Sequence, residues 1–178
     1  MGELTFSPLK DELEELVAFF IENTWEFHRD PYPSKYKIMQ SFQKGWFQDE
    51  RATFWMNKDG EKIGLIILDD ITDSIPLFDI RLATKWRGKG YGTIAVNWIK
   101  DYIFNLPDKK IRIEAYTRYD NIPMRKTLAK SGFVKEGYLR DAWENDDGSL
   151  MDAIIYAATR SDWEQGIITP IKLNEEPF

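Results

Sequence analysis

Lys85-Trp86-Arg87-Gly88-Lys89-Gly90-Tyr91-Gly92-Thr93 is the stretch on which the reading of this chain turns. Ahead of it runs an apolar segment, Ile75, Leu77, Phe78, Ile80 and Leu82, with strand character. Behind it Ile94, Ala95, Trp98, Ile99, Tyr102 and Ile103 recur at helical spacing until Pro107 stops them. Glycine at every second position frees the backbone for positive φ and lets a ligand approach closely. Strand, glycine turn and helix start together aim backbone N–H groups at an anion. Arg87 and Lys89 either strengthen that attraction or stand as solvated turn cations.

The spacing narrows the anion. A nucleotide-triphosphate loop needs G-x-x-x-x-G-K-S/T, which is absent, and the glycines run G-x-G-x-G rather than the dinucleotide G-x-G-x-x-G. A dinucleotide fold would also open with βαβ, whereas three strands precede the one that delivers this turn.

Outward from the turn the elements fall in order. Thr5 to Leu9 reads as a strand, and Asp11, with Glu14 three residues on, forms a capping box for a helix through Leu13, Leu16, Val17 and Phe20 that fades near Asn23. Trp25 to Pro33 is an aromatic connector. A second helix spans Lys35 to Phe47, with Tyr36, Met39, Phe42 and Trp46 on one side. Ala52 to Met56 and Lys62 to Leu68 form a hairpin across Lys58-Asp59-Gly60, and Ile75 to Leu82 is the strand that delivers the turn. Downstream lie a strand from Ile111 to Tyr116, a helix from Met124 to Ser131 with Pro123 in its first turn, and a closing pair, Phe133 to Trp143 and Leu150 to Thr159. The two strands flanking the third helix should be parallel, the rest mostly antiparallel. The expected fold class is a mixed α/β (α+β) sheet of about six or seven strands with about four helices.

Composition sets the outer bounds. A chain of 178 residues is one domain's length, and 43% hydrophobic with 30% charged residues describes an ordinary globular protein. A net charge of −6 argues against nucleic acid as a partner, because phosphate contacts need a broad basic surface. The absence of cysteine removes disulfides and thiolate chemistry. No apolar run approaches the length of a bilayer span or a leader's core, so the expected location is cytoplasmic with no membrane partner. His28, the sole histidine, has no partners at ligand spacing, so no metal is expected.

The segment Arg87-Gly88-Lys89-Gly90-Tyr91-Gly92 fills R/Q-x-x-G-x-G/A at each fixed position, and Asn121 stands eleven residues before Gly132-Phe133. In both features the chain resembles the GNAT (Gcn5-related) N-acetyltransferases, over roughly Thr5 to Trp163. Glu114 on its strand, Asn121, and Gly137-Tyr138-Leu139-Arg140 resemble the branch that acetylates ribosomal-protein N-termini, small amines and aminoglycosides. The resemblance implies a GNAT domain over residues 1–165, with residues 166–178 an irregular C-terminal extension. It implies acetyl-CoA (coenzyme A) as acyl donor and a primary amine as acceptor, either a small cationic molecule or a peptide N-terminus. Similar proteins are often homodimers.

By the same resemblance the diphosphate lies on Arg87, Gly88, Lys89, Gly90, Tyr91, Gly92 and Thr93, and the pantetheine arm runs along Ile80, Arg81 and Leu82. A backbone N–H near Leu82 then serves the developing oxyanion. Asn121 either contacts the pantetheine or caps the next helix. Glu114 is the candidate catalytic base, acting directly or through water; its alternative is a strand carboxylate paired with Arg112 or Arg118. Many members place a proton-donating Tyr seven residues after the Asn, where this chain has Leu128, and Met124 replaces a usual Ala or Ser. Tyr116, Tyr119 and Tyr138 are available phenols without positional support, and solvent can protonate a thiolate.

Acceptor contacts are expected from Trp25, His28, Tyr32 and Trp143. Around them stand Glu26, Asp30, Asp141, Glu144, Asp146, Asp147 and Asp152, an acidic set suited to a cationic amine. The missing Tyr leaves a non-catalytic acyl-CoA-binding module as the alternative function, with a glycine-turn nucleotide binder behind it.

Overall fold

The computed structural model describes residues 3–175. In chain order the elements are β1 (Thr5–Pro8), α1 (Leu13–Ile21), α2 (Lys35–Gln43), β2 (Ala52–Lys58), β3 (Glu61–Asp69), β4 (Leu77–Leu82), α3 (Tyr91–Phe104), β5 (Arg112–Arg118), α4 (Ile122–Lys130), β6 (Val134–Glu144), β7 (Leu150–Thr159) and α5 (Arg160–Gln165). A single 3₁₀ turn, Thr84–Trp86, links β4 to the glycine turn.

One seven-stranded sheet runs in the order β1-β2-β3-β4-β5-β7-β6. Every neighbouring pair is antiparallel except β4 and β5, which are parallel as the α3 crossover requires. Helices cover both faces, so β3 is buried on both sides and reads as a continuous apolar run. Its Ile66 and Leu68 pack with Ala95, Ile99, Ile103, Ile113 and Leu128 under α3 and α4. Its Leu65 and Ile67 pack with Leu16, Phe20, Trp25, Ile38 and Phe47 under α1 and α2. Alternation therefore splits one strand between two cores.

Several local expectations change. Asp11 does not cap α1: Glu12 stands at the N-cap without a capping bond, its carboxylate taken by Lys62 (2.7 Å), Trp55 Nε1 (3.0 Å) and the Lys10 N–H (3.1 Å). α2 ends at Gln43, four residues early, because Gly45 turns the chain at φ +75° and a Cβ there would meet the Asp49 carboxylate at 2.4 Å. Its inward residue is Ile38, while Tyr36 and Trp46 point outward. On α3, Val96 is buried and Ile94 is exposed, since the first turn projects beyond the sheet. α5 was not expected, although Thr159 with Asp162 three residues on is a capping pattern, and Thr159 Oγ1 accepts from the Asp162 N–H at 3.1 Å. Residues 166–175 form no helix or strand; Thr169 donates its N–H and hydroxyl to the Asp162 carboxylate, both at 3.0 Å. No helix among the described residues is long and apolar enough to cross a membrane.

Candidate active site

The site begins where the sheet fails to close. β4 and β5 share one register pair, Leu77 with Glu114, sealed by the Glu114 N–H donating to Pro76 O at 3.1 Å, and then diverge. The Ala83 N–H donates to Ile63 O at 2.9 Å, which sets the phase of the β3–β4 ladder. Antiparallel alternation then turns the amides of Asp79 and Arg81 toward β3, and those of Ile80 and Leu82 into the gap. The gap is lined by backbone that the sheet leaves unpaired.

At its mouth lies the glycine turn. Gly88 and Gly90 have φ of +73° and +87°, where an L side chain is strained, and a Cβ on either would meet nothing within 4 Å. Among the described residues the N–H groups of Gly88, Lys89, Gly90, Tyr91 and Gly92 have no acceptor. Gly90 is also the N-cap of α3 and brings no side-chain cap, so the dipole end of that helix is open. Free donors, open space and a helix N-terminus fit a diphosphate.

The turn's cations behave differently from each other. Arg87 Nε donates to Leu82 O at 2.9 Å and its Nη2 to Thr24 O, while its guanidinium lies 5.3 Å from the Trp25 ring. Arg87 is thus committed to the connector between α1 and α2. Lys89 stands 5.0 Å above the Trp86 ring. Asn121 caps α4, its Oδ1 accepting from the Met124 N–H at 3.2 Å; its amide nitrogen has no partner among the described residues. Leu128 is fully buried under α4.

On the α1–α2 face the gap is spanned by the connector, residues 22–34. His28 Nε2 meets Asp79 Oδ1 at 2.9 Å on β4. On β5, Arg118 donates to Glu26 O at 3.1 Å, holds its own place through Asp120 (2.7 Å) and lies 5.6 Å from the Phe27 ring. At the glycine turn the Thr84 N–H donates to Asn23 Oδ1 at 2.7 Å. One loop therefore touches both lips of the gap and the turn.

Burial alone would raise the Asp79 carboxyl, but the charges of Arg81 and then His28 overrule it and hold the pKa far below the usual carboxylate range. Asp79 therefore accepts from His28 Nε2–H, and the other ring nitrogen, Nδ1, is buried without a partner. Asp79 is not among the residues that the sequence singles out, and Arg118 enters there only as an alternative partner of Glu114. A signal for Asp79 exists, since Asp79 and Arg81 are the charged members of an otherwise apolar strand.

Glu114 sits at the closed end of the gap. Its Oε1 pairs with Arg112 at 3.0 Å and its Oε2 accepts from the Tyr116 hydroxyl at 3.1 Å. Arg112 also reaches Glu136 at 2.7 Å. Burial, with this hydrogen bond, raises the Tyr116 pKa. Tyr119 and Tyr138 are exposed, and Tyr138 donates to Asp152.

The acceptor set is only partly gathered. Trp25 is a core residue, its Nε1 donating to Phe20 O at 2.9 Å. Tyr32 is 78% exposed, and Trp143 is half-buried on β6 with its Nε1 unpartnered. The acidic mouth is neutralised in part: Lys37 bridges Asp30 and Asp146, both at 2.8 Å, and Arg29 meets Glu144 at 3.4 Å and Asp146 at 3.6 Å, whereas Glu26, Asp141, Asp147 and Asp152 have no ion pair among the described residues. Those two carboxylates raise the Lys37 pKa. The β6–β7 turn is in this way clasped to the connector.

The model of the acetyltransferase (GNAT) domain matches residues 3–134. A search of curated proteins finds no match. Among solved structures, a spermidine N-acetyltransferase chimera of Vibrio cholerae SpeG and hSSAT is similar at TM-score 0.78 and 22% identity, covering 92% of this chain and 99% of that one. The spermidine N-acetyltransferase from Vibrio cholerae in complex with CoA and spermine is similar at TM-score 0.74 and 22% identity, covering 90% and 98%. At that identity the likeness speaks for the fold.

Proposed function

Because the chain belongs to the GNAT acetyltransferase family, we propose that the gap between β4 and β5 is its transfer site, with the donor on the glycine turn and the acceptor amine entering beneath the connector. The protein is an acetyl-CoA-dependent N-acetyltransferase, which displaces the reading as a non-catalytic module. The observation that carries the site is the run of unpartnered N–H groups from Gly88 to Gly92 beside the unpaired amides of Ile80 and Leu82.

Acetyl-CoA supplies an activated acyl carbon. The protein's part is to bind, orient and move protons. The glycine turn and the start of α3 hold the diphosphate, with a helix-end contribution of about 0.3–1 kcal/mol. Ile80, Arg81 and Leu82 receive the pantetheine arm as an added strand edge, and an N–H from Ile80 or Leu82 lies ready for the oxygen that gains charge. The free amide nitrogen of Asn121 is a second donor to the arm. Glu114, oriented by Arg112, takes the amine's proton directly or through water. The amine attacks the acyl carbon directly, through a tetrahedral intermediate; C–S then breaks, and the thiolate takes a proton from solvent, Leu128 offering none.

The acceptor is a primary amine, on a small molecule or at a peptide N-terminus. His28 and the carboxylates near it support this reading by lining the entrance. The reading includes a cytoplasmic location, where acetyl-CoA is made, and a homodimer, as is common in similar chains. Free-thiol release over polyamines, aminoglycosides, amino acids and N-terminal peptides tests it. Turnover with at least one amine is expected, and tight acetyl-CoA binding with no thiol release from any of them overturns it.

A further inference from the structure

Beside the gap, on the α1–α2 face, is an open pocket of about 160 Å³ with an apolar wall of Phe20, Ile38, Phe47 and Ile67 and a polar rim of Asp30, Lys37, Ser41 and Arg81. A volume of about 150 Å³ accommodates benzene, so the apolar wall has room for a group of about six carbons. Arg81 is mostly buried, stacked 5.0 Å from the Phe20 ring and 5.3 Å from the Trp25 ring. Its Nε is bound to Asp79 at 2.9 Å, and among the described residues its two terminal nitrogens make no hydrogen bond. A guanidinium packed on one side against two neighbouring rings, with its outer edge unpaired, presents a planar two-pronged donor, the geometry that a carboxylate fills.

The cavity adjoins the transfer site. Ile67 is the cross-strand partner of Asp79, and Arg81 follows Ile80, whose amide faces the gap. Three features thus adjoin along β4: room for an apolar group, a free guanidinium edge and the gap proposed for acyl transfer. Those are the requirements of three substituents on one carbon.

We propose that the acceptor is an α-amino acid with an apolar side chain, its carboxylate on Arg81, its side chain in the cavity and its amine turned into the gap. This rests on the transfer-site reading above. The amine displaces the CoA thiol from the acyl carbon, the nitrogen's proton goes to the base, and the thiolate takes a proton, giving an N-acetyl amino acid and free CoA.

The test compares leucine with 3-methylbutylamine, which is leucine without its carboxylate, and with spermidine, by thiol release. Leucine should exceed 3-methylbutylamine in kcat/KM by about 10- to 100-fold, the worth of a charged hydrogen-bonded pair. Arg81→Gln should abolish that ratio. Ser41→Phe, which fills the cavity from the half-exposed flank of α2, should raise the leucine KM while the melting temperature stays within a few degrees. Equal use of the two amines, or preference for spermidine, overturns the proposal. If no amine releases thiol, the transfer reading fails by itself. Calorimetric binding of leucine, weakened by Arg81→Gln, then keeps the pocket, and no binding removes it as well.

Discussion

The two sides of the gap between β4 and β5 are built on opposite principles. On the donor side the protein leaves hydrogen-bond capacity unspent: Gly88 to Gly92 offer N–H groups with no acceptor, and α3 starts without a side-chain cap. On the acceptor side many charges are paired with each other, from His28 with Asp79 to Lys37 with Asp30 and Asp146. Free backbone donors in a fixed turn bind any diphosphate of the right shape and need no particular side chain. Paired side chains are selective, because an acceptor must either match the remaining free groups or displace an existing pair. The donor can thus be common to a whole family while the acceptor differs from member to member.

Mutations on the two sides should differ in kind. The largest effect is expected at Glu114 if it is the base: Glu114→Gln should lower kcat by about 10²–10⁴-fold with little change in acetyl-CoA affinity. A near-normal kcat across pH would return Glu114 to a structural partner of Arg112 and Glu136. Next comes Gly90→Val, which forces a β-branched residue to φ +87° and sets its methyls in the open space above the donors. Acetyl-CoA affinity should fall about 100-fold by calorimetry. An unchanged affinity would mean that the diphosphate lies elsewhere.

Asp79→Asn probes the acceptor side, where loss should appear in stability as well as in amine KM. Removing a carboxylate bonded to both His28 and Arg81 should cost about 1–3 kcal/mol. The sign of its pH dependence is determined. The folded pKa of Asp79 is depressed, so its stabilisation is fully present above the unfolded value of about 3.9 and is lost as pH falls through the folded value. The melting-temperature gap between wild type and Asp79→Asn should therefore narrow below about pH 4. A gap that stays constant through that range would contradict the ionised pairing. The smallest effect is expected for Asn121→Ala, about 1 kcal/mol of stability for the lost α4 cap. A rise in the acetyl-CoA KM beyond about threefold would add a pantetheine contact to that role.

The same contrast explains what was readable along the chain. Gly88, Gly90 and Gly92 were legible because φ, helix start and strand approach are local, and glycine spacing carries them. The parallel pairing of β4 with β5 followed from a crossover connection. The connector was not legible. Trp25 looks like a binding aromatic in sequence, yet Phe19 and Phe20 bury it; the acidic residues near Trp143 look like a cation trap, yet Arg29 and Lys37 meet them from over a hundred residues away. Arg87 looked like part of the anion cradle and instead holds Thr24 and Leu82. Long side chains choose partners by three-dimensional distance, which spacing along the chain does not encode.

The sequence by itself determined the mixed sheet, the glycine turn at the end of β4 and the family with its acyl donor. The sheet and the turn rest on backbone periodicity and on φ values that few residues tolerate, the family and its donor on the resemblance carried by Arg87 to Gly92 and by Asn121. Only the tertiary structure decided that His28 belongs to Asp79, that Arg81 keeps a free edge beside a pocket, and that Lys37 joins Asp30 to Asp146. Each of these is a contact between distant segments, formed when the α1–α2 connector folds across the sheet. The donor side is a property of the local backbone, and the acceptor side is a property of packing.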